Sequence, residues 1–237
     1  MVASRASTDG TTSSVALDQT AFYPTGGGQP HDTGTFTVIG GGNGGASGST
    51  SGADGSLLVT DVRKEADLVW HTVAGAAPAV GSRVRGTLDW ERRHKLMRTH
   101  TAMHILCGVI WNEWQVPVTG GNMEPLSARM DFEFDPLPEG FAAQVERLVA
   151  EAIAHDYRID VSFLPRAEAV LDADLIRTKV SLIPDTVSEI RVVDIVGLDK
   201  QADGGTHVRS TREVGTFRVV KTESKGKGNK RLRVEIG

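Results

Sequence analysis

Two pairs of residues carry the chemistry available to this chain. The first is His100 and His104, four apart inside the apolar run Arg98-Thr99-His100-Thr101-Ala102-Met103-His104-Ile105-Leu106. On an α-helix, positions i and i+4 lie one above the other on the same face, so both imidazoles reach one point in space. The second is Asp203 and His207, also four apart, in Gln201-Ala202-Asp203-Gly204-Gly205-Thr206-His207-Val208. Here the two glycines argue against a helix, and a glycine turn folds tightly enough to aim both side chains at one centre. Three imidazoles and a carboxylate suit Zn²⁺, which accepts nitrogen and oxygen ligands at about 2.0–2.2 Å. Three protein ligands would leave an open, catalytic position, and four would close the shell. Histidines serving separate roles in a core would show the same spacing. Cys107 reads as a small buried hydrophobe rather than a ligand.

The elements that must position these residues follow from hydrophobic periodicity. After a basic opening turn, residues 90–95, the stretch 96–114 is apolar on nearly all sides, as expected of a buried helix. Upstream, short strands are predicted at 13–18, 34–39, 57–62, 67–72 and 83–89, separated by turn residues, which suggests a small antiparallel barrel. Residues 40–55 are almost wholly Gly, Ser, Ala, Asn and Asp and read as a flexible hairpin excursion. Gly26, Gly27 and Gly28 stand between Pro24 and Pro30, in a loop whose backbone can come close to another group. Downstream, residues 117–125 read as a loop around Gly120-Gly121-Asn122, and 127–134 alternates as a strand. An amphipathic helix is predicted at 140–155, with Phe141, Val145, Leu148, Ala152 and Ile153 as its stripe. A strand at 158–164, a shorter helical segment at 165–177 and strands at 189–196, 216–220 and 231–236 complete the chain. The fold class expected is α+β. A small N-terminal antiparallel β-barrel domain, residues 1–90, precedes a two-layer α+β sandwich, residues 91–237, covered on one side by the buried histidine helix.

Composition narrows the function classes. The 237-residue chain has a net charge of −4 and one cysteine, which excludes an internal disulfide framework. No apolar run reaches the roughly 20 residues needed to span a bilayer, and the N-terminus lacks the core of a signal peptide. A soluble, cytoplasmic protein without a membrane is the expectation. The slight negative charge creates no global field for nucleic acid, so RNA contact has to come from local clusters. One such cluster is the basic, glycine-containing stretch 221–231, which includes Lys225 and Lys227; Arg92, Arg93, Lys95 and Arg98 can add to it.

Three motifs occur in one order: Phe22-Tyr23-Pro24-Thr25-Gly26-Gly27-Gly28-Gln29-Pro30, then His-Thr-Ala-Met-His-Ile-Leu at 100–106, then Gly-Gly-Thr-His-Val at 204–208. In this the chain resembles the AlaX family, free-standing alanyl-tRNA editing proteins similar to the editing domain of alanyl-tRNA synthetase, and specifically its medium-length class. The resemblance implies that His100, His104 and His207 are zinc ligands. The fourth family ligand is commonly a cysteine, and here that position holds Asp203, a harder ligand than a thiolate, which can bind the metal directly, bind through water or orient His207. The upstream strand usual in the family is abbreviated, since only residues 1–7 are there to form it.

The resemblance also implies the reaction. Serine or glycine wrongly loaded onto alanine tRNA is removed by hydrolysis of the 3′-terminal ester, while correct Ala-tRNA(Ala) is spared. Hydrogen-bonding groups near the metal would tell seryl from alanyl, because an unpaired buried polar group penalises the analogue lacking its partner. Gln29, Thr99, Thr101 and Thr206 are the candidates, although a threonine there equally serves helix packing or backbone hydrogen bonding. Thr101 occupies the position at which a protease HExxH helix carries its Glu, which argues against protease chemistry. Gly26, Gly27, Gly28, Arg98, Lys225 and Lys227 are candidates for holding the tRNA acceptor end, the basic residues through phosphate contacts. Two other functions fit the same residues: a zinc-stabilised RNA-binding module without catalysis, and a zinc hydrolase of another small ester or amide.

Overall fold

Short runs of alternating burial build the first of two compact units, residues Met1–Gly26 with Pro30–Arg93; the second comprises Gly27–Gln29 with His94–Gly237. The computed structural model describes residues 1–7, 10–39, 55–169, 171, 175, 187–226 and 228–237. The expected excursion at 40–55, apart from Gly55, and part of the expected helix at 165–177 lie outside the described residues. Among the described residues the latter includes a helical turn, Arg166–Ala169. The observed class is mixed α and β with antiparallel sheets.

The first unit contains β1 (Ala3–Ala6), β2 (Thr12–Ala16), β3 (Gly34–Ile39), β4 (Leu57–Glu65), β5 (Leu68–Ala74) and β6 (Arg83–Leu88). They form one sheet in the order β1-β2-β5-β4-β3-β6. Val15, Phe22, Phe36, Leu57, Val59, Val62 and Val73 make its core. The expected barrel does not close: among the described residues, β1 and β6 are the two edges of an open sheet. The edges themselves explain this. β1 is four residues long with three exposed, and β6 carries exposed Arg83 and Arg85, the charged, short character that keeps edge strands from pairing. Even strand spacing in a sequence does not distinguish an open sheet from a closed one.

His71 is fully buried in this unit. Its Nδ1 faces Val15 O at 3.1 Å and its Nε2 faces the Thr20 hydroxyl at 2.8 Å. The carbonyl only accepts, so Nδ1 carries the proton and the neutral ring accepts from Thr20 at Nε2. Burial lowers the His71 pKa below its ordinary value, partly opposed by the Val15 bond. A group with a lowered folded pKa contributes stability that is present above the unfolded value, about 6.5, and lost as pH falls below it. Unfolding free energy is therefore expected to fall on acidification from pH 7.5 to 5, with His71 contributing up to about 1.4 kcal/mol per pH unit. His71→Gln should flatten the slope by up to that amount in denaturant titrations; an unchanged slope would exclude the role.

In the second unit the dominant element is α1 (Trp90–Trp114). Asp89 caps it, accepting Arg92 N–H on its side chain at 3.1 Å. Leu96 and every residue from Thr99 to Ile110 are buried, so the all-round apolar pattern is matched by all-round burial. Gly108 allows α1 to lie directly on a neighbouring strand, since a Cβ there would be 2.7 Å from Asp199 Cβ. The remaining elements are β7 (Val118–Glu124), β8 (Ser127–Phe132), α2 (Phe141–His155), β9 (Ile159–Pro165), β10 (Glu189–Ile195), β11 (Asp199–Ala202), β12 (Phe217–Ser224) and β13 (Lys230–Ile236). They form two sheets rather than one, β12-β13-β8-β7 and β11-β10-β9. α2 buries Val149 more completely than the expected Leu148.

Residues 117–125, expected as a loop, form edge strand β7 instead. Its glycine pair is tolerated because Val118 and Met123 are buried on either side and a register shift between Val118 and Gly120 absorbs the irregularity. β11 was not expected either. Its four residues, Asp-Lys-Gln-Ala, bury two polar side chains, Asp199 and Gln201, which hydrogen-bond each other.

Candidate metal centre

α1 presents His100 and His104 on one face, and the turn following β11 returns Asp203 and His207 to the same point. One ligand atom from each of the four lies within 4.8 Å of every other. The His100 and His207 rings stack with centroids 4.4 Å apart, and His104 stands edge-on to both at 5.0 and 4.6 Å. Gly205 makes this approach available: a Cβ there would stand 2.2 Å from His100 Cε1.

The proton positions follow from the hydrogen bonds. Thr206 N–H donates to one amide atom of Gln29 at 3.0 Å, which makes that atom Oε1. The same Oε1 lies 3.0 Å from His100 Nδ1. A carbonyl oxygen only accepts, so Nδ1 carries the His100 proton. Burial, with the charge of His207 as a smaller cause, holds the His100 pKa well below its ordinary value, so the ring is neutral and Nε2 is a bare lone pair. That lone pair faces Asp203 Oδ1 at 3.5 Å. Two electron-rich atoms aimed at each other across such a gap suit a cation. A tetrahedral ion with bonds of about 2.0–2.1 Å sets its ligand atoms roughly 3.3–3.4 Å apart.

His207 is held differently. Its Nε2 lies 3.0 Å from Asp203 Oδ2 and its Nδ1 lies 3.1 Å from Thr101 Oγ1. Burial lowers its pKa to about 4, against the opposing bond to Asp203. The neutral ring here donates from Nε2 to the carboxylate and accepts the Thr101 hydroxyl. A hydroxyl both donates and accepts, so Thr101 can hold this ring in either tautomer, including the one that frees Nε2 for a metal. Burial works to raise the Asp203 pKa, and the neighbouring groups, among them the bond donated by His207 Nε2, more than offset it, leaving the carboxyl ionised.

Comparison with known proteins bears on what such a centre belongs to. Residues 190–233 match the family described as the threonyl and alanyl tRNA synthetase second additional domain, and residues 3–92 match tRNA synthetases class II (A). The chain is 35% identical to an alanyl-tRNA editing protein AlaX-M of Saccharolobus solfataricus, over 92% of this chain and 86% of that one. A Methanosarcina barkeri AlaX-M is 32% identical over the same shares. The chain belongs to the AlaX family. An alanine–tRNA ligase of Pyrobaculum neutrophilum is also similar, 36% identical over 88% of this chain and 22% of the ligase.

Within this AlaX chain, the structure brings some of the expected site residues together and not others. Gln29 and Thr206 join the cluster: Gln29 is fully buried, and its Nε2 donates to Thr206 Oγ1 at 2.9 Å. Thr101 touches His207 and also accepts Val208 N–H at 3.3 Å. Thr99 points elsewhere, donating to Lys95 O and accepting Leu126 N–H, both at 2.9 Å. Gly27 and Gly28 adopt left-handed φ of 57° and 84°, and Gly28 O accepts Met123 N–H at 3.4 Å. Gly26 O accepts the Tyr23 hydroxyl at 3.1 Å.

The basic candidates are largely engaged. The Arg98 guanidinium donates to Val214 O and Gly237 O, each at 2.8 Å. Arg92 donates to His31 O and Arg93 pairs with Asp32. In the β12–β13 hairpin, Arg231 makes a bidentate pair with Asp131, 2.7 Å on both arms, while Lys221 and Arg233 share Glu223. The hairpin is therefore less cationic than its sequence suggests. Lys225 is exposed, and Lys227 lies outside the described residues. Sequence reasoning missed Arg191, whose Nη1 donates to Asp203 O at 2.8 Å. Its register beside the turn, given by β10 pairing with β11, was the signal, and β11 itself was not foreseen.

Proposed function

We propose that this chain is a trans-editing aminoacyl-tRNA deacylase that hydrolyses Ser-tRNA(Ala) while sparing Ala-tRNA(Ala). The observation that carries the reading is the convergence of His100, His104, Asp203 and His207 in a chain of the AlaX family. In this reading residues 91–237 are the editing domain, a two-layer α+β arrangement, and residues 1–90 carry the glycine motif. Zn²⁺ is the ion whose ligand preferences match the donor set, since it takes imidazole nitrogen and carboxylate oxygen in a tetrahedron. Bound there, it would supply Lewis acidity for ester hydrolysis.

The chain's own residues do the rest. Gln29 and Thr101 hold the Nδ1 sides of His100 and His207, which orients the rings toward the ion. Thr206 Oγ1 already accepts from Gln29, so its hydroxyl proton is left to donate to a seryl side chain. An alanyl ester offers no partner for that proton, and the loss of one buried hydrogen bond costs about 1–3 kcal/mol, roughly 10- to 100-fold in rate. Lys225, Lys227 and the charge of Arg98 favour the phosphates of the tRNA acceptor end.

Incubation with Ser-, Gly- and Ala-tRNA(Ala) tests this. Serine should be released at least about 10-fold faster than alanine, with one zinc per chain. Binding without turnover would indicate an RNA-binding module, and turnover of small esters alone would indicate a different hydrolase; either outcome sinks the editing proposal.

A further inference from the structure

Asp203 leaves its sheet by an irregular rung. β10 and β11 pair antiparallel through Val192 and Ala202, so Arg191 and Asp203 come next in register. Asp203 N–H still donates to Arg191 O at 3.1 Å. Asp203 O, however, accepts from the Arg191 side chain, Nη1 at 2.8 Å. The same Nη1 stands 3.7 Å from Asp203 Oδ2, and Oδ2 also accepts Gly205 N–H at 2.7 Å. Oδ1 faces the bare His100 Nε2 instead.

We infer that Arg191 is a positioning residue for the fourth ligand, anchoring Asp203 so that its carboxylate is held toward the cluster, Oδ1 against His100 and Oδ2 against His207. The inference rests on the metal reading above. A carboxylate on a glycine turn has two side-chain torsions and a mobile backbone, so it can offer either oxygen or both. Here the backbone is pinned by the reciprocal Arg191–Asp203 bonds, and Oδ2 is occupied on the side facing Arg191 and Gly205. The guanidinium is permanently charged and planar, which suits it to hold a carbonyl and flank a carboxylate at once. Its charge also repels a metal cation, so the two effects of removing it have opposite signs. If positioning dominates, metal binding weakens; if repulsion dominates, it tightens.

The test is zinc affinity, measured by competition with a chromophoric chelator, together with the Co²⁺ absorption spectrum as a report on coordination. Arg191→Met should weaken zinc binding about 10- to 100-fold and alter the Co²⁺ bands, the range found when a residue supporting a ligand is lost. Arg191→Lys, which keeps the charge without the planar fork, should recover only part. In an Asp203→Ala background, adding Arg191→Met should cost no more than about twofold further, because the residue through which it acts is gone. Should Arg191→Met fail to fold, Arg191→Lys carries the same cycle. Unchanged or tighter metal binding, or an equal loss in the Asp203→Ala background, overturns the inference. A wild-type chain that takes up neither zinc nor cobalt defeats the metal reading itself, and this shows before any variant is compared.

Discussion

Gly205→Ala is expected to weaken zinc binding and lower deacylation by about 5- to 100-fold while the fold persists. The added Cβ would stand 2.2 Å from His100 Cε1 and 2.8 Å from Gln29 Oε1. Neither can retreat. The His100 side chain is buried and stacked on His207, and Gln29 is pinned by Thr206. Overpacking of this kind costs about 1–3 kcal/mol, and here the strain is relieved by moving a ligand, so it appears directly in metal affinity at about tenfold per 1.4 kcal/mol. Gly204→Ala is the internal control. A Cβ at Gly204 meets nothing within 4 Å, so zinc content and rate should stay within about threefold of wild type. Zinc titration and circular dichroism on both variants decide the matter. Zinc affinity unchanged in Gly205→Ala would mean the turn does not approach His100 as described.

Gln29 allows affinity and selectivity to be separated. Gln29→Ala removes the acceptor for His100 Nδ1–H and Thr206 N–H and the donor to Thr206 Oγ1. Each buried group left without a partner costs about 1–3 kcal/mol, and loss of the support for a metal-binding histidine costs about 10- to 100-fold in affinity. Gln29→Glu keeps both acceptor roles and loses only the donor. The new carboxylate would then take the Thr206 hydroxyl proton for itself, so none remains for a seryl side chain. Gln29→Glu should therefore hold zinc within about tenfold of wild type, yet lose most of the preference for seryl over alanyl ester. Parallel measurement of zinc affinity and of the two deacylation rates checks this. Selectivity retained in Gln29→Glu would remove Thr206 from substrate choice.

Much of this centre could be read from residue order. The His100/His104 spacing needed only helix geometry, and the apolar stretch around it implied the burial that the structure shows. The Asp203–His207 turn was legible because Gly204 and Gly205 exclude the helical alternative. What periodicity could not convey were relations across chain segments. Nothing local to Gln29 indicates that its amide bridges His100 and Thr206, and nothing near Thr99 reveals that its hydroxyl turns to Lys95 and Leu126. β7 was hidden because Gly120 and Gly121 weaken the strand signal that Val118 and Met123 supply, and β11 because a four-residue strand with three polar residues has no apolar alternation. The open first sheet was missed for a different reason. Closure depends on whether the edge strands β1 and β6 find each other, which spacing along the chain does not encode.

The cluster draws on α1 and on a turn about a hundred residues later, and this has a consequence for how the protein comes into being. A growing chain can fold α1 and display both of its histidines well before Asp203 and His207 have been synthesised. Contacts between segments so distant in sequence form late, because the entropy of closing the intervening loop must be overcome first. Any hydrolytic capacity is thus absent from a chain not yet grown past His207 and arrives when that turn docks.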